Sequence, residues 1–127
     1  VQTADTATDL QNLRERYVAS LDLLDEANER LVAVLGEARD ARAVARKFVA
    51  SGRPLKDIDE VLDPQPVRSA VADALAESER RRHETQRLLF TLLQSEGQTL
   101  ADIGRTYGIS RQLVSRLVNE PDPSPLA

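Results

Sequence analysis

The side chains that could do chemistry in this 127-residue chain are few in kind. Cysteine is absent and His83 is the single histidine, which removes thiolate nucleophiles, disulfides and the usual zinc ligand sets. There is no glycine-rich phosphate loop and no nucleophile with a matching base. The carboxylates lie on helical faces interleaved with arginine, the arrangement of a solvated, salt-bridged surface. No catalytic, cofactor-binding or metal-ligating residue is therefore expected, and His83 is expected at the surface. Arginine remains. The formal net charge of −4, taken alone, speaks against attraction to a phosphate backbone. Resolved along the chain, that argument reverses. Residues 1–79 carry 10 basic side chains against 16 acidic ones, whereas residues 80–119 carry seven arginines against Glu84, Glu96 and Asp102. Glu120 and Asp122 then close an acidic tail. So little excess positive charge implies weak attraction to random nucleic acid and reliance on the reading of bases. Arg80, Arg81 and Arg82 cannot all face one surface, because three consecutive residues span most of a helical turn. They either touch phosphate with one or two side chains or belong to a solvated connector.

The elements that would hold the later arginines are legible in residues 98–119, QTLADIGRTYGISRQLVSRLVN. Thr99 with Asp102 three positions on has the form of a capping box. Leu100 and Ile103 give the helix that follows an apolar edge, and Gly104 is small enough for a close crossing. Gly108 stands where the chain must turn sharply and positive φ is wanted. Ser110 caps a second helix whose inner face is Val114, Leu117 and Val118. Two short helices joined by a tight glycine turn result.

The run Thr99-Leu100, Ile103-Gly104, Gly108-Ile109-Ser110-Arg111 and Val114 resembles the bacterial helix-turn-helix family. It is most similar to the variant in region 4 of primary sigma factors and in many small regulators. The resemblance covers 22 of the 127 residues, defines a module rather than a protein, and does not extend to the preceding 97 residues. It implies that the second helix, residues 110–119, enters the major groove of double-stranded DNA. Arg111, Gln112, Ser115, Arg116 and Asn119 would then face the bases, with Leu113 partly inward. The side-chain chemistry agrees: Arg reads guanine O6 and N7, Gln reads adenine N6 and N7, and Ser and Asn serve bases or phosphates. The helix start at Ser110 and Arg111 favours a phosphate, and Thr99 and Arg105 on the first helix are candidates for backbone contacts that set register.

Upstream, residues 1–7 are small and polar and read as a frayed start. Thr8 and Gln11 have the form of a second capping box. A spacing of seven follows. Leu10, Tyr17, Leu24, Leu31, Ala38 and Ala45 make one column, and Leu13, Ser20, Ala27, Val34, Ala41 and Phe48 make its companion. Leu21, Leu35 and Val49 widen the stripe. No proline interrupts residues 8–52 and strong helix formers dominate, so the segment reads as one helix of up to ~44 residues, or as a hairpin divided at Gly36. Its apolar stripe needs cover from another segment of the chain or from a second copy. Asn28, beside the Ala27 column, sets register if buried and does nothing on a solvated flank, the flank being favoured. Gly52 and Pro54 end this block, and Leu55, Ile58, Val61 and Leu62 predict a short amphipathic turn. A further helix is expected from about residue 66 to 95, starting near Gln65 or Pro66. Its apolar faces, Val67 to Leu75 and Leu88 to Leu93, flank a polar stretch at residues 77–86 that should be solvated. Leu88 to Leu93 would supply the third helix that residues 98–119 need for a core.

The fold expected is all-α. A long N-terminal helix or helical hairpin, of coiled-coil or bundle type, occupies residues 8–62, and a connecting helix spans 63–86. A three-helix DNA-binding unit spans 87–120, and a disordered tail covers 121–127. The function expected is a sequence-specific DNA-binding regulator of transcription, acting as a homodimer through residues 8–62. A single small module makes few base contacts, and pairing is the usual route to specificity. The alternative is a helical adaptor whose acidic arm docks RNA polymerase, another DNA-binding factor or a toxin, with the C-terminal module auxiliary. Ligand sensing in the arm finds no support, since Tyr17 and Phe48 are more simply core. No apolar run approaches the ~20 residues of a membrane helix and no signal-peptide core is visible. A cytoplasmic, nucleoid-associated protein without cofactor or membrane partner is expected. The lack of an initiator Met suggests a true start upstream.

Overall fold

The computed structural model describes residues 2–121, with side chains from residue 7 onward; the expected tail, apart from Pro121, lies outside the described residues. Its first element, α1, is a single helix over Gln2–Ala50. It starts before Thr8, so Thr8 is an interior residue and not a cap. Nothing in residues 2–7 is a glycine or proline, and the helix meets no breaker on its way to the N-terminus. Gly36 lies inside α1 without positive φ and does not divide it. The helix ends where Gly52, at φ 79°, donates to the Val49 carbonyl at 3.1 Å and Arg53 donates to that of Phe48 at 3.2 Å. The Arg53 guanidinium then sits 4.1 Å from the centre of the Phe48 ring.

A 3-10 turn at Leu55–Glu60 realises the expected short amphipathic element. Helix α2 follows over Pro64–Ser95. It begins at Pro64, slightly ahead of the expected start, because Asp63 Oδ1 accepts the Gln65 N–H at 3.1 Å. Pro64 and Pro66 both fall in the first turn, where a missing N–H costs nothing. Two short helices complete the chain, α3 at Leu100–Tyr107 and α4 at Arg111–Val118. The fold is all-α, and no strand occurs among the described residues. None of these helices is long and apolar enough to cross a membrane.

The chain forms two compact units, Val1–Asp22 with Arg82–Ala127 and Leu23–Arg81. Helices α1 and α2 each contribute to both, so the spatial division does not follow the segments 8–62, 63–86 and 87–120. In the unit Leu23–Arg81, Ala27, Val34 and Phe48 of α1 and Ala74 of α2 are buried. Asn28 is exposed, and its Oδ1 accepts the Ser78 hydroxyl at 2.6 Å, so it bridges the two helices at their edge. In the other unit the Thr85 hydroxyl donates to the Ser20 carbonyl at 3.2 Å, and Arg14 meets Glu96 at 3.3 Å, the register of antiparallel neighbours.

The columns spaced by seven are thereby ranked. The one through Ser20, Ala27, Val34 and Phe48 is buried, that led by Leu10 and Tyr17 is half-buried, and Leu21, Leu35 and Val49 are exposed. From the buried column, the Ser20 carbonyl is taken by Thr85 of α2 in the same chain. The middle of α2 is consequently not the solvated connector expected from its polarity. Thr85 is buried there, and just beyond it Arg87 is buried too, held on Glu84 at 2.8 and 3.0 Å. Small residues on the facing column leave room for polar groups, and each that enters is hydrogen-bonded.

Candidate nucleic-acid interface

The unit containing α3 and α4 is organised around Phe90, Ile103 and Val114, all fully buried, with Leu117 beside them. Leu89, Leu93, Leu100, Ile109, Leu113 and Val118 close the cluster. Each such side chain withdrawn from water contributes about 1.5–3 kcal/mol before conformational entropy is set against it. Phe90 comes from the stretch of α2 expected to supply the third helix, and its ring also meets Tyr107 at 5.2 Å in a tilted arrangement.

Helix α3 starts on the capping box. The Thr99 hydroxyl accepts the Asp102 N–H at 3.0 Å, and the Thr99 N–H donates to Asp102 Oδ2 at 3.3 Å. Arg105 pairs with the other oxygen of the same carboxylate. The Thr99 hydroxyl, then its N–H and the Arg105 guanidinium, hold the Asp102 carboxyl below the usual carboxylate range. The helix stops at Gly108, whose φ of 69° lets the Ile109 N–H reach back to the Gly104 carbonyl at 3.0 Å. Gly104 itself sits against the turn: a Cβ there would lie 2.8 Å from the Ile109 carbonyl oxygen. Only a residue without a side chain lets α3 approach the start of α4 this closely.

Helix α4 begins with Ser110 in extended backbone, its hydroxyl accepting the Leu113 N–H at 3.1 Å. At 100° per residue, Arg111, Gln112, Ser115, Arg116 and Asn119 fall within an arc of about 140°. That arc is opposite Val114 and Leu117, which are buried. Arg111, Gln112, Arg116 and Asn119 are exposed, Ser115 and Leu113 half-buried. The Asn119 amide donates to the Ser115 carbonyl at 2.8 Å and to its hydroxyl at 3.3 Å, so these two side chains hold each other. Arg111, Gln112 and Arg116 make no hydrogen bond or ion pair with the described residues. Thr99 and Arg105 stay on α3, joined through Asp102, and no bond links them to the α4 set.

The basic block of the sequence is smaller in space than in composition. Arg80 and Arg81 are both bound to Glu77, Arg87 to Glu84 and Arg105 to Asp102, and Arg82 is also engaged. Arg111 and Arg116 are left. One contact had no sequence signal: His83 Nε2 lies 2.8 Å from Glu120 Oε2, tying α2 to the residue two beyond the end of α4. A lone imidazole and a carboxylate 37 positions apart share no periodicity by which to find each other. Among the described residues no group of three or more potential metal-ligating side chains converges. No protein-family model, curated protein or solved structure matches the chain.

Proposed function

We propose that this chain is a sequence-specific DNA-binding regulator of transcription whose α4 lies in the major groove, as in the helix-turn-helix proteins that residues 98–119 resemble. The observation that carries this reading is the outward face of α4. Arg111, Gln112 and Arg116 are presented opposite an apolar core and bond to none of the described residues. These are the side chains that pair bidentately with guanine and adenine edges. Ser115 and Asn119, tied to each other, lie in the middle of that face, between Arg111 and Arg116. Thr99 and Arg105 would set register on the phosphates. The exposed Arg105–Asp102 pair is worth little in water, so a phosphate can take the guanidinium over. The protein would act as a homodimer through residues 8–62, at the nucleoid, without catalytic or cofactor chemistry.

Selection of duplexes from a random pool, repeated across a salt series, tests the reading. A defined site should emerge, with a shallow salt dependence because few guanidinium groups are available for phosphate. Arg111→Ala should cost about 1–3 kcal/mol on that site and relax preference at one base pair. A folded protein that shifts no duplex at low salt overturns the proposal.

A further inference from the structure

The buried column of α1 is occupied by α2, so any pairing of two copies through this helix must use another face. On a flank of α1, about a third of a turn round from the buried column and within the unit Leu23–Arg81, Asp25, Asn28, Val32, Leu35, Arg39 and Arg42 follow one another at steps of three and four. All six are exposed, Val32 at 71% and Leu35 at 43%. Steps of three and four are the spacing by which one helix lies along another. Two valine- and leucine-sized groups left in water at the middle of such a row are what a covered seam supplies. Gly36 lies beside them, and a Cβ there would meet nothing within 4 Å, so its smallness serves no packing inside the chain.

The charges on this row say what covers it. Asp25 and Glu29 stand at i, i+4 on the N-terminal side of Val32, and Arg39 and Arg42 at i, i+3 on the C-terminal side of Leu35. None of the four forms an ion pair with the described residues. Like charges at these spacings repel along one helix, so the arrangement is unfavourable for the chain alone. It becomes complementary against its own reverse. We infer that this face of α1 docks the same face of a second copy, antiparallel, about a two-fold axis between Val32 and Leu35. Val32 then meets the second copy's Leu35, Asp25 meets its Arg42, and Glu29 lies alongside its Arg39, while Asn28 keeps Ser78 of its own α2. Two-fold symmetry makes every contact twice. A parallel pairing sets Asp25 on Asp25 and Arg39 on Arg39, and is rejected by the same charges.

The inference rests on the homodimer of the proposed function, not on its DNA contacts. The test is the solution mass of the full chain by light scattering or sedimentation over a concentration series, without DNA. The expected result is a dimer. Asp25→Arg alone and Arg42→Asp alone should each weaken it by tenfold or more, and the double exchange should restore it to within about threefold of the parent. Val32→Glu, at a site too exposed to matter for folding, should also abolish the dimer while the helical circular dichroism stays unchanged. A monomer at all concentrations overturns the inference, as does a dimer indifferent to the single exchanges or not rescued by the double one. Binding of the Asp25→Arg variant to a duplex carrying one half-site is read separately. A half-site bound by a chain that never pairs removes the docking face alone. A charge-dependent dimer that binds no duplex removes the DNA reading alone.

Discussion

Around α3 and α4, Phe90, Ile103 and Val114 keep no solvent exposure, whereas the unit Leu23–Arg81 is held by Val34, Ala74, Phe48 and Ala27, none of them fully withdrawn. The first region is specified by shape. Large side chains from three helices interlock, a glycine without room for a methyl group sets the crossing, and both short helices have capped starts. The second is specified by repetition, a seven-residue rhythm of small and medium groups along α1. Shape gives one geometry and, of the large apolar groups on α3 and α4, leaves only Tyr107 exposed. Repetition gives a good seam but leaves the rest of the helix uncovered, and there Val32, Leu35 and Val49 remain exposed. The first region suits the reading role proposed for α4, and the second the pairing role proposed for α1.

The sharpest way to break this comparison is a pair of truncations. Phe90→Ala should cost about 3–5 kcal/mol, since it empties the centre of an interlocked core, while Val34→Ala should cost about 2 kcal/mol. Chemical denaturation measures both, and equal losses would remove the distinction. Gly104→Ala comes next. The added methyl group would meet the Ile109 carbonyl oxygen, and the expected cost is ~1–3 kcal/mol with chemical-shift changes confined to α3, the turn and α4. A neutral or stabilising result would mean that the crossing gives way easily. The smallest effect concerns acid. Because the Asp102 carboxyl is depressed in the folded chain, the box is complete above the ordinary carboxylate value, about 3.9, and is lost as pH falls through the lower folded value. The Thr99 and Asp102 amide resonances should move together in that acidic window, and Asp102→Asn should abolish the movement.

Much of this architecture is legible in the residues. Thr99 with Asp102, Gly104, Gly108, Ser110 and Val114 each have a local physical reason for their position, and local reasons survive folding unchanged. The columns of α1 are equally plain. What periodicity does not carry is which element covers a face. The buried column includes Ser20 and Ala27, while the leucines at 10, 24 and 31 are only half-buried. The reason lies in α2, whose Thr85 needs a carbonyl nearby and finds that of Ser20. The same holds for residues 77–86, polar in composition and yet partly buried. The start at Gln2 was hidden for a different reason: a cap sequence at Thr8 stops a helix only when the residues before it cannot continue one.

Because Arg111, Gln112 and Arg116 bond to none of the described residues, their replacement should leave the fold within about 0.5 kcal/mol of its present stability. Most binding surfaces are constrained twice, by what they recognise and by what they support. In the proposed role, this face would be constrained once. Under that proposal a lineage of such chains could change its preferred sequence one substitution at a time without passing through an unstable ancestor, and a library at those three positions should retain nearly all of its members as folded protein.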